Sequence, residues 1–345
     1  MTDASFQDSP KPIGIRDVAR HASVSTATVS RVLNTPESVS PALRERIQAT
    51  IREIGYIPHA SARALSSRKT RTIGAIVPTV DNAMFAQGLQ ALQGYLSAKN
   101  YLLLLATNEY DLDTELDQAR NMIERGIDAL ILRGDKRHPE LRRILDGQRI
   151  PYVNVGEYRP DRPHASVGVD NAEAGRRITR FITGLGHRRV AMVSAHPANN
   201  DRAQARQAGI LDVLGALGCT PPPEWRLHVS YQLDEARDAA RALLHDGPRP
   251  TAVICGNDVI AYGVMLEAIR MGVSVPDALS VAGFDDLEWS RHLHPTLTTI
   301  HIPTNEIWVR AGRYLVDSLA GGAPLHHQKV EFSLVVREST AKPAD

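Results

Sequence analysis

The sequence predicts an N-terminal all-α helix-turn-helix head, residues 13–58, followed by an α/β body of two doubly wound lobes, residues 72–340. Three observations predict it. Short segments with helical apolar period fill the first sixty residues, and short apolar runs alternating with amphipathic stretches fill the remainder. Charge changes at the same border: Lys11 to Arg71 holds eleven Lys/Arg against four Asp/Glu, a net of +7, whereas the first ten residues carry −2 and the rest of the chain −4. A basic head on a mildly acidic body is the electrostatic footprint of a small domain that meets a polyanion.

In the head, Ile15, Val18, Ala19 and Ala22 mark one apolar stripe on a first helix. After the turn Ala22-Ser23-Val24, Ser25 is placed to cap a second helix through its side-chain oxygen. There Val29, Val32 and Leu33 form the inward edge, while Ala27, Ser30, Arg31 and Asn34 share the other. A third helix has Ser40 as cap, Pro41 at its first position, Leu43, Ile47, Ile51 and Ile54 on its apolar side and Gly55 at its end. Three short helices with a tight connection describe a helix-turn-helix, whose second helix enters the DNA major groove. A generic three-helix cap has the same pattern, and the basic charge decides for DNA.

In the body, the runs at 73–77, 101–105, 129–132, 152–155, 189–193, 252–255 and 280–284 read as buried parallel strands with helices between them. The last residues, VEFSLVVRESTAKPAD, read as a strand and a frayed tail without a leucine heptad, which speaks against a tetramerising coiled coil.

Several function classes lose support. The first residues, MTDASFQDSPKP, carry neither a basic nor an apolar signal region, and no run of about 18 apolar residues occurs, so a cytoplasmic, nucleoid-associated protein without membrane contact is expected. Cys219 and Cys255 have neither disulfide density nor metal spacing. His292-Leu-His294 and His326-His327 come without carboxylates or cysteines at ligand spacing, so no metal is expected. No GxGxxG follows a strand and no GxxxxGK[ST] occurs, and the GLGH at 184–187 reads as a helix-to-strand turn; no cofactor and no enzymatic activity are expected.

The stretch IRDVARHASVSTATVSRVLN, followed by VSPALRERIQATIREIGYIPHASARAL, closely resembles the head of the lactose/galactose repressor (LacI/GalR) family. In the body RGIDALIL, VGVDNAEAG, LGHRRVAMVS, CGNDVIAYGVMLEAIRMGVSVPDALSVAGFDD and HPTLTTIHIP extend the resemblance to about residue 340. It implies that Thr26, Ala27 and Arg31 read bases, and that Ser25, Thr28, Ser30 and Asn34 lie on or near phosphates. Arg can bond guanine bidentately and Thr or Ala can pack on a thymine methyl. Residues 59–71 are implied to be a hinge helix and linker, with Leu65 as a minor-groove wedge. The body is implied to be periplasmic-binding-protein-like, type I, with Met84, Phe85, Asp170, Arg206, Tyr231, Asn257 and Asp285 facing an effector cleft. Asp258 and Asp286 are expected to hold turns or cap helices. The family usually has Gly where Ser23 stands, Asn where His59 stands, and an aromatic or Pro where Met84 stands.

The implied protein is a ligand-responsive repressor that binds a pseudo-palindromic operator in double-stranded DNA as a homodimer. A sugar or sugar acid is the favoured effector, with a purine or nucleoside, or a protein corepressor, as alternatives. The rivals from other classes are a solute-binding protein without DNA function and an enzyme built on Asp285 and Arg206.

Overall fold

The head forms because three short apolar stripes have nowhere else to go. In the computed structural model, which describes residues 13–58, 69–245, 247–322 and 326–344, they are α1 (Ile15–His21), α2 (Thr26–Asn34) and α3 (Pro41–Ile54). Val18, Val29 and Ile47 are fully buried against one another and join Ala19, Ala22, Val32 and Tyr56 in one small core. Ser25 Oγ accepts the Thr28 N–H at 3.1 Å and so starts α2. Ser40 occupies the cap position of α3 without a side-chain bond, leaving Pro41 to set the entry, and Gly55 ends the helix at φ +68°. The turn between α1 and α2 holds Ser23 at φ +50°. That left-handed conformation explains the glycine usual in the family at this position.

The chain divides into two units at the Thr70–Arg71 boundary, and the second is the body. Its first lobe is built from β1 (Thr72–Val77), α4 (Ala83–Ala98), β2 (Leu102–Thr107), α5 (Leu112–Glu124), β3 (Ala129–Arg133), α6 (Pro139–Gln148), β4 (Tyr152–Glu157) and β5 (Ser166–Val169). The second lobe takes α7 (Asn171–Gly184), β6 (Val190–Ala195), α8 (Asp201–Ala216), β7 (Arg226–Val229), α9 (Leu233–Leu244), β8 (Ala252–Cys255), α10 (Asp258–Arg270), β9 (Ser280–Asp285) and β10 (Thr298–His301). The chain then returns. Helix α11 (Thr304–Leu319) packs on α4 in the first lobe, β11 (His327–Lys329) pairs parallel with β5, and β12 (Ser333–Val335) pairs antiparallel with β10. The two six-stranded sheets have the orders β11-β5-β4-β3-β1-β2 and β12-β10-β9-β8-β6-β7.

Two close helix crossings carry the functional side chains. Gly88 of α4 lies where a Cβ would come within 2.1 Å of the Trp308 ring, and Gly312 of α11 faces Leu92 in the same way. This crossing fixes the first turn of α4, with Met84 and Phe85. In the second lobe a Cβ on Gly175 would meet the Arg206 carbonyl at 2.4 Å, and one on Gly209 the Ala172 carbonyl at 2.0 Å. That crossing fixes α8 and Arg206.

Three expectations change. Burial is expected for the leucine run at 101–105, yet β2 is an edge strand on which Leu102 and Leu105 are exposed. The C-terminal tail is tied down rather than frayed as far as Ala341. Ser339 is fully buried, its Oγ donates to Val281 O at 2.6 Å, and His187 Nε2 lies 2.9 Å from Ala341 O. No local pattern marks β5, β7, β10 or β11, which have three or four residues each.

Because the Trp308 side chain of α11 packs directly on the α4 backbone at Gly88, Gly88→Ala is expected to lower stability by about 1–3 kcal/mol through overpacking. Urea unfolding followed by tryptophan fluorescence measures it.

Candidate functional sites

On the head, burial of Val29 and Val32 turns the opposite side of α2 to solvent. Thr26, Ala27 and Arg31 are exposed there, and Arg31 makes no ion pair among the described residues. The short residues at 26 and 27 leave the helix backbone open to close approach. The expected phosphate-side residues are organised locally: Ser25 Oγ and Thr28 Oγ1 lie 2.9 Å apart, and Asn34 Nδ2 donates to Ser30 Oγ at 3.2 Å. His59 and Leu65, expected in the hinge segment, lie outside the described residues.

In the body, one pocket lies where strand ends of the two lobes face each other. The first lobe lines it with Asn82, Met84, Phe85, Tyr110 and Arg133, and the second with Arg202, Ala203, Arg206, Tyr231, Asn257 and Asp285. The void left between them is about 10 Å³, roughly the space for one water. The lobes are therefore closed on each other, and a larger molecule enters only as they part.

Arg206 is the hub. Its Nε donates to Asn171 Oδ1 at 2.8 Å, its Nη1 to Gly256 O at 2.9 Å, and its Nη2 lies 3.5 Å from Asp285 Oδ1. Its guanidinium also stands 4.7 Å from the centre of the Phe284 ring. Burial raises the Asp285 carboxyl pKa, and Arg206 and Arg133 oppose that rise. Asp285 itself has φ +102°, a conformation uncommon for a residue with a side chain.

Arg202 pairs with Asp201 at 2.6 Å, and Asp201 Oδ2 accepts the Asp135 N–H from the other lobe at 2.7 Å. Arg133 lies 5.2 Å over the Phe85 ring with Nη2 3.8 Å from the Met84 sulfur, and its Nε is buried without a hydrogen-bond partner. Burial and the neighbouring Arg202 push the Arg133 pKa down to about 9. Tyr110 and Tyr231 face each other with ring centres 6.2 Å apart, and Asn200 Nδ2 donates to the Tyr231 hydroxyl at 3.1 Å.

Six of the seven expected effector residues thus meet in this pocket: Met84, Phe85, Arg206, Tyr231, Asn257 and Asp285. Asp170 does not line it. Its carboxylate accepts the Glu173 N–H at 2.8 Å and caps α7, while its neighbour Asn171 makes the bond to Arg206. Asp258 holds a turn, accepting from Leu287 N and from the Ser290 and Thr299 hydroxyls, and Asp286 accepts from Arg337. Asn82, Tyr110, Arg133 and Arg202 were missed. Tyr110 and Arg133 follow or end strands at their carboxyl ends, so inspecting every strand end would have found both. Among the described residues no group of three or more His, Cys, Asp or Glu could hold a metal, and no helix is long and apolar enough to cross a membrane.

Glu157, at the end of β4, takes a hydrogen bond from Asn171 Nδ2 across the lobes. Burial, then the nearby Asp201 carboxylate, push its pKa up to about 8. Between the ordinary carboxyl value and 8 the folded state therefore holds a proton that the unfolded state has lost. Stability from this group falls as pH rises through that window. Glu157→Gln is expected to raise Tm by several degrees at pH 8.5 and by less at pH 6, measured by calorimetry at both pH values.

Comparison with known proteins supplies the context. Residues 14–59 match "Bacterial regulatory proteins, lacI family", and residues 179–340 match "Periplasmic binding protein-like domain". The HTH-type transcriptional repressor PurR of Vibrio cholerae is 31% identical over 307 residues, 88% of this chain and 91% of that protein. A LacI-family transcriptional regulator from Silicibacter pomeroyi superposes with a TM-score of 0.86 at 26% identity, covering 95% of this chain and 99% of the other. The complex of the transcriptional regulator CelR with cellobiose superposes with a TM-score of 0.70 at 27% identity, covering 95% and 99%.

Proposed function

The chain belongs to the lacI family of bacterial regulatory proteins, which are ligand-responsive DNA-binding transcriptional regulators and not enzymes, and from that premise we propose that it is a dimeric repressor of a catabolic operon, switched by a small polar molecule held between its lobes. The observation that carries the DNA half is the exposed side of α2. A solvent-facing Arg31 without an ion pair, beside two short side chains, on a basic unit, is suited to reading a guanine edge.

The effector half rests on the convergence of both lobes on one pocket. A ligand that bonds Arg206 and Asp285 on one side and the first lobe on the other changes the free energy of lobe closure. Transmission to the head is assigned to residues 59–71. A tenfold change in DNA affinity needs about 1.4 kcal/mol of differential binding, within reach of one or two such hydrogen bonds. A sugar or sugar acid suits carboxylate and guanidinium partners for hydroxyl groups. The name PurR carried by relatives favours a second reading, a purine or nucleoside stacked against Tyr110 and Tyr231.

Dimerisation is assigned to the apolar surface that the body leaves open. Leu102 (62% exposed) and Leu105 (40%) lie along the edge strand β2, and Leu266 (43%) and Ile269 (53%) lie on α10. An edge strand with exposed leucines is a liability in a monomer and a ready interface in a dimer.

Selection of DNA from a random pool tests the head: Arg31→Ala is expected to lose about 1–3 kcal/mol of discrimination at one guanine per half-site, and unchanged discrimination would remove α2 from base reading. Leu102→Asp together with Leu105→Asp is expected to sediment as a monomer in analytical ultracentrifugation and to bind a full operator no better than a half-site. A thermal-shift screen over sugars, sugar acids, sugar phosphates, purines and nucleosides tests the cleft. The active compound is expected to lose its effect in Arg206→Ala.

A further inference from the structure

Three helices meet the cleft with their N-termini, and all three are closed by uncharged caps. Asn82 Oδ1 accepts from Met84 N–H at 3.0 Å, Asn200 Oδ1 from Ala203 N–H at 3.2 Å, and Asn257 Oδ1 from Ile260 N–H at 2.9 Å. The Asn caps add no charge of their own; α8 carries Asp201 in its first turn, paired with Arg202, and α10 carries Asp258, whose pKa burial pushes up to about 8, so of the three only α4 has no acid in its first turn.

The same cleft holds more guanidinium than carboxylate. Arg202 pairs with Asp201 and Arg206 with Asp285. Arg133 has no carboxylate partner among the described residues; the Phe85 ring and the Met84 sulfur are its neighbours, and its Nε is a buried donor with nothing to donate to. Glu157 does not redress the balance, because with its pKa pushed up to about 8 it is mostly uncharged at neutral pH. The result is one surplus cation, part-buried, with a buried unused donor, beside the N-terminus of α4, whose first turn holds no acid.

We propose that the effector carries a carboxylate and that Arg133 receives it, so that the regulator senses a hydroxylated organic acid rather than a neutral sugar or a neutral base; this rests on the reading of the cleft as the effector site. The planar Nε–H and Nη–H edge of a guanidinium matches the two oxygens of a carboxylate. On the opposite wall Asp285, the Asn257 amide and the Tyr231 hydroxyl offer acceptors and donors for hydroxyl groups. Bringing the lobes together sets Arg133 near Arg202, whose charge opposes its own. An anion between the lobes removes that opposition. Ligand charge and lobe closure are thereby coupled in one place.

The test uses the full-length protein and matched probes: D-glucose against D-gluconate, D-galactose against D-galacturonate, with glucose 6-phosphate, hypoxanthine and guanine as further arms. The expected result is a concentration-dependent rise in Tm with a carboxylate and none with its neutral partner. Calorimetric titration of that carboxylate should show affinity about 100-fold weaker in Arg133→Gln, as for a lost charge-assisted hydrogen bond, and weakened less in Arg133→Lys, which keeps the charge without the fork. Unliganded Arg133→Gln should melt no lower than the wild type, which separates lost binding from lost folding. Equal binding of neutral partners, binding only of the phosphate or of the bases, a carboxylate affinity unchanged in Arg133→Gln, or no response to any carboxylate would each overturn the proposal. Sequence-selective retention from a random DNA pool, run on the same preparation, keeps the two readings apart. Selective retention without carboxylate binding sinks only the carboxylate proposal, whereas absence of selective retention sinks the regulatory function.

Discussion

The buried guanidinium of Arg206 is the interaction on which the rest of the body depends. It reaches Asn171 on α7, Gly256 after β8 and Asp285 at the end of β9, three elements far apart in sequence. It reaches them only because glycines at 175 and 209 let α7 and α8 cross with side chains absent from the contact. Asn171 then extends the network across the cleft, donating to Gly156 O at 2.9 Å and to Glu157. One cation thus organises the wall of one lobe and, through a single amide, touches the other. Removing half of such a buried pair typically costs about 3–5 kcal/mol, so Arg206 is at once a structural and a ligand-facing residue.

Closure of the lobes follows the same rule of small residues and few polar contacts. Gly134 at φ +75° lies where a Cβ would sit 2.1 Å from Arg202 Nη1, and Gly156 at φ +100° lies where one would meet Arg133 at 2.5 Å. These two positions let the Asp201–Arg202 pair of the second lobe seat directly on the first. The bonds across the cleft are polar and few, Asp135 N–H to Asp201 and Asn171 to Gly156 and Glu157 among them. A closure held in this way sits near balance. A ligand of ordinary affinity can then move it, because population shifts require differential binding and not tight binding as such.

The parts of the fold that were legible in sequence are those where burial left one chemical solution. Strands β1, β3, β4, β6, β8 and β9 are buried over most of their length, so each reads as a largely apolar run. The run at β2 looks identical, and its exposure follows from its place at the sheet edge, which sequence does not encode locally. Strands of three or four residues such as β5 and β11 are too short to show a period, and the return of the chain to the first lobe through α11 is a tertiary fact. In the cleft, motif resemblance led to Arg206, Asn257 and Asp285 but to Asp170 in place of its neighbour Asn171. Both residues suit a polar site; which one caps α7 and which turns inward is settled by the helix register. Arg133 and Arg202 were missed because the motifs used to place the cleft residues did not include either position.

The head and the body handle surplus positive charge in opposite ways. Residues 11–71, the head with its flanking segments, spread a net of +7, and side chains such as Arg16, Arg20 and Arg31 are exposed. Water and salt screen such charge, which costs little stability and gives a long-range, salt-dependent attraction to any phosphate backbone. Sequence choice then falls to a few contacts at α2. The body, net −4 over the residues after Arg71, holds Arg133 without a carboxylate partner among the described residues, part-buried and beside two further guanidiniums. There screening is weak, a lone charge is costly, and the cost is relieved only by a counter-charge of suitable shape. Exposed charge therefore supplies affinity with little selection, and buried charge supplies selection at the expense of stability. A regulator needs both, and the fold keeps them in separate units so that neither property constrains the other.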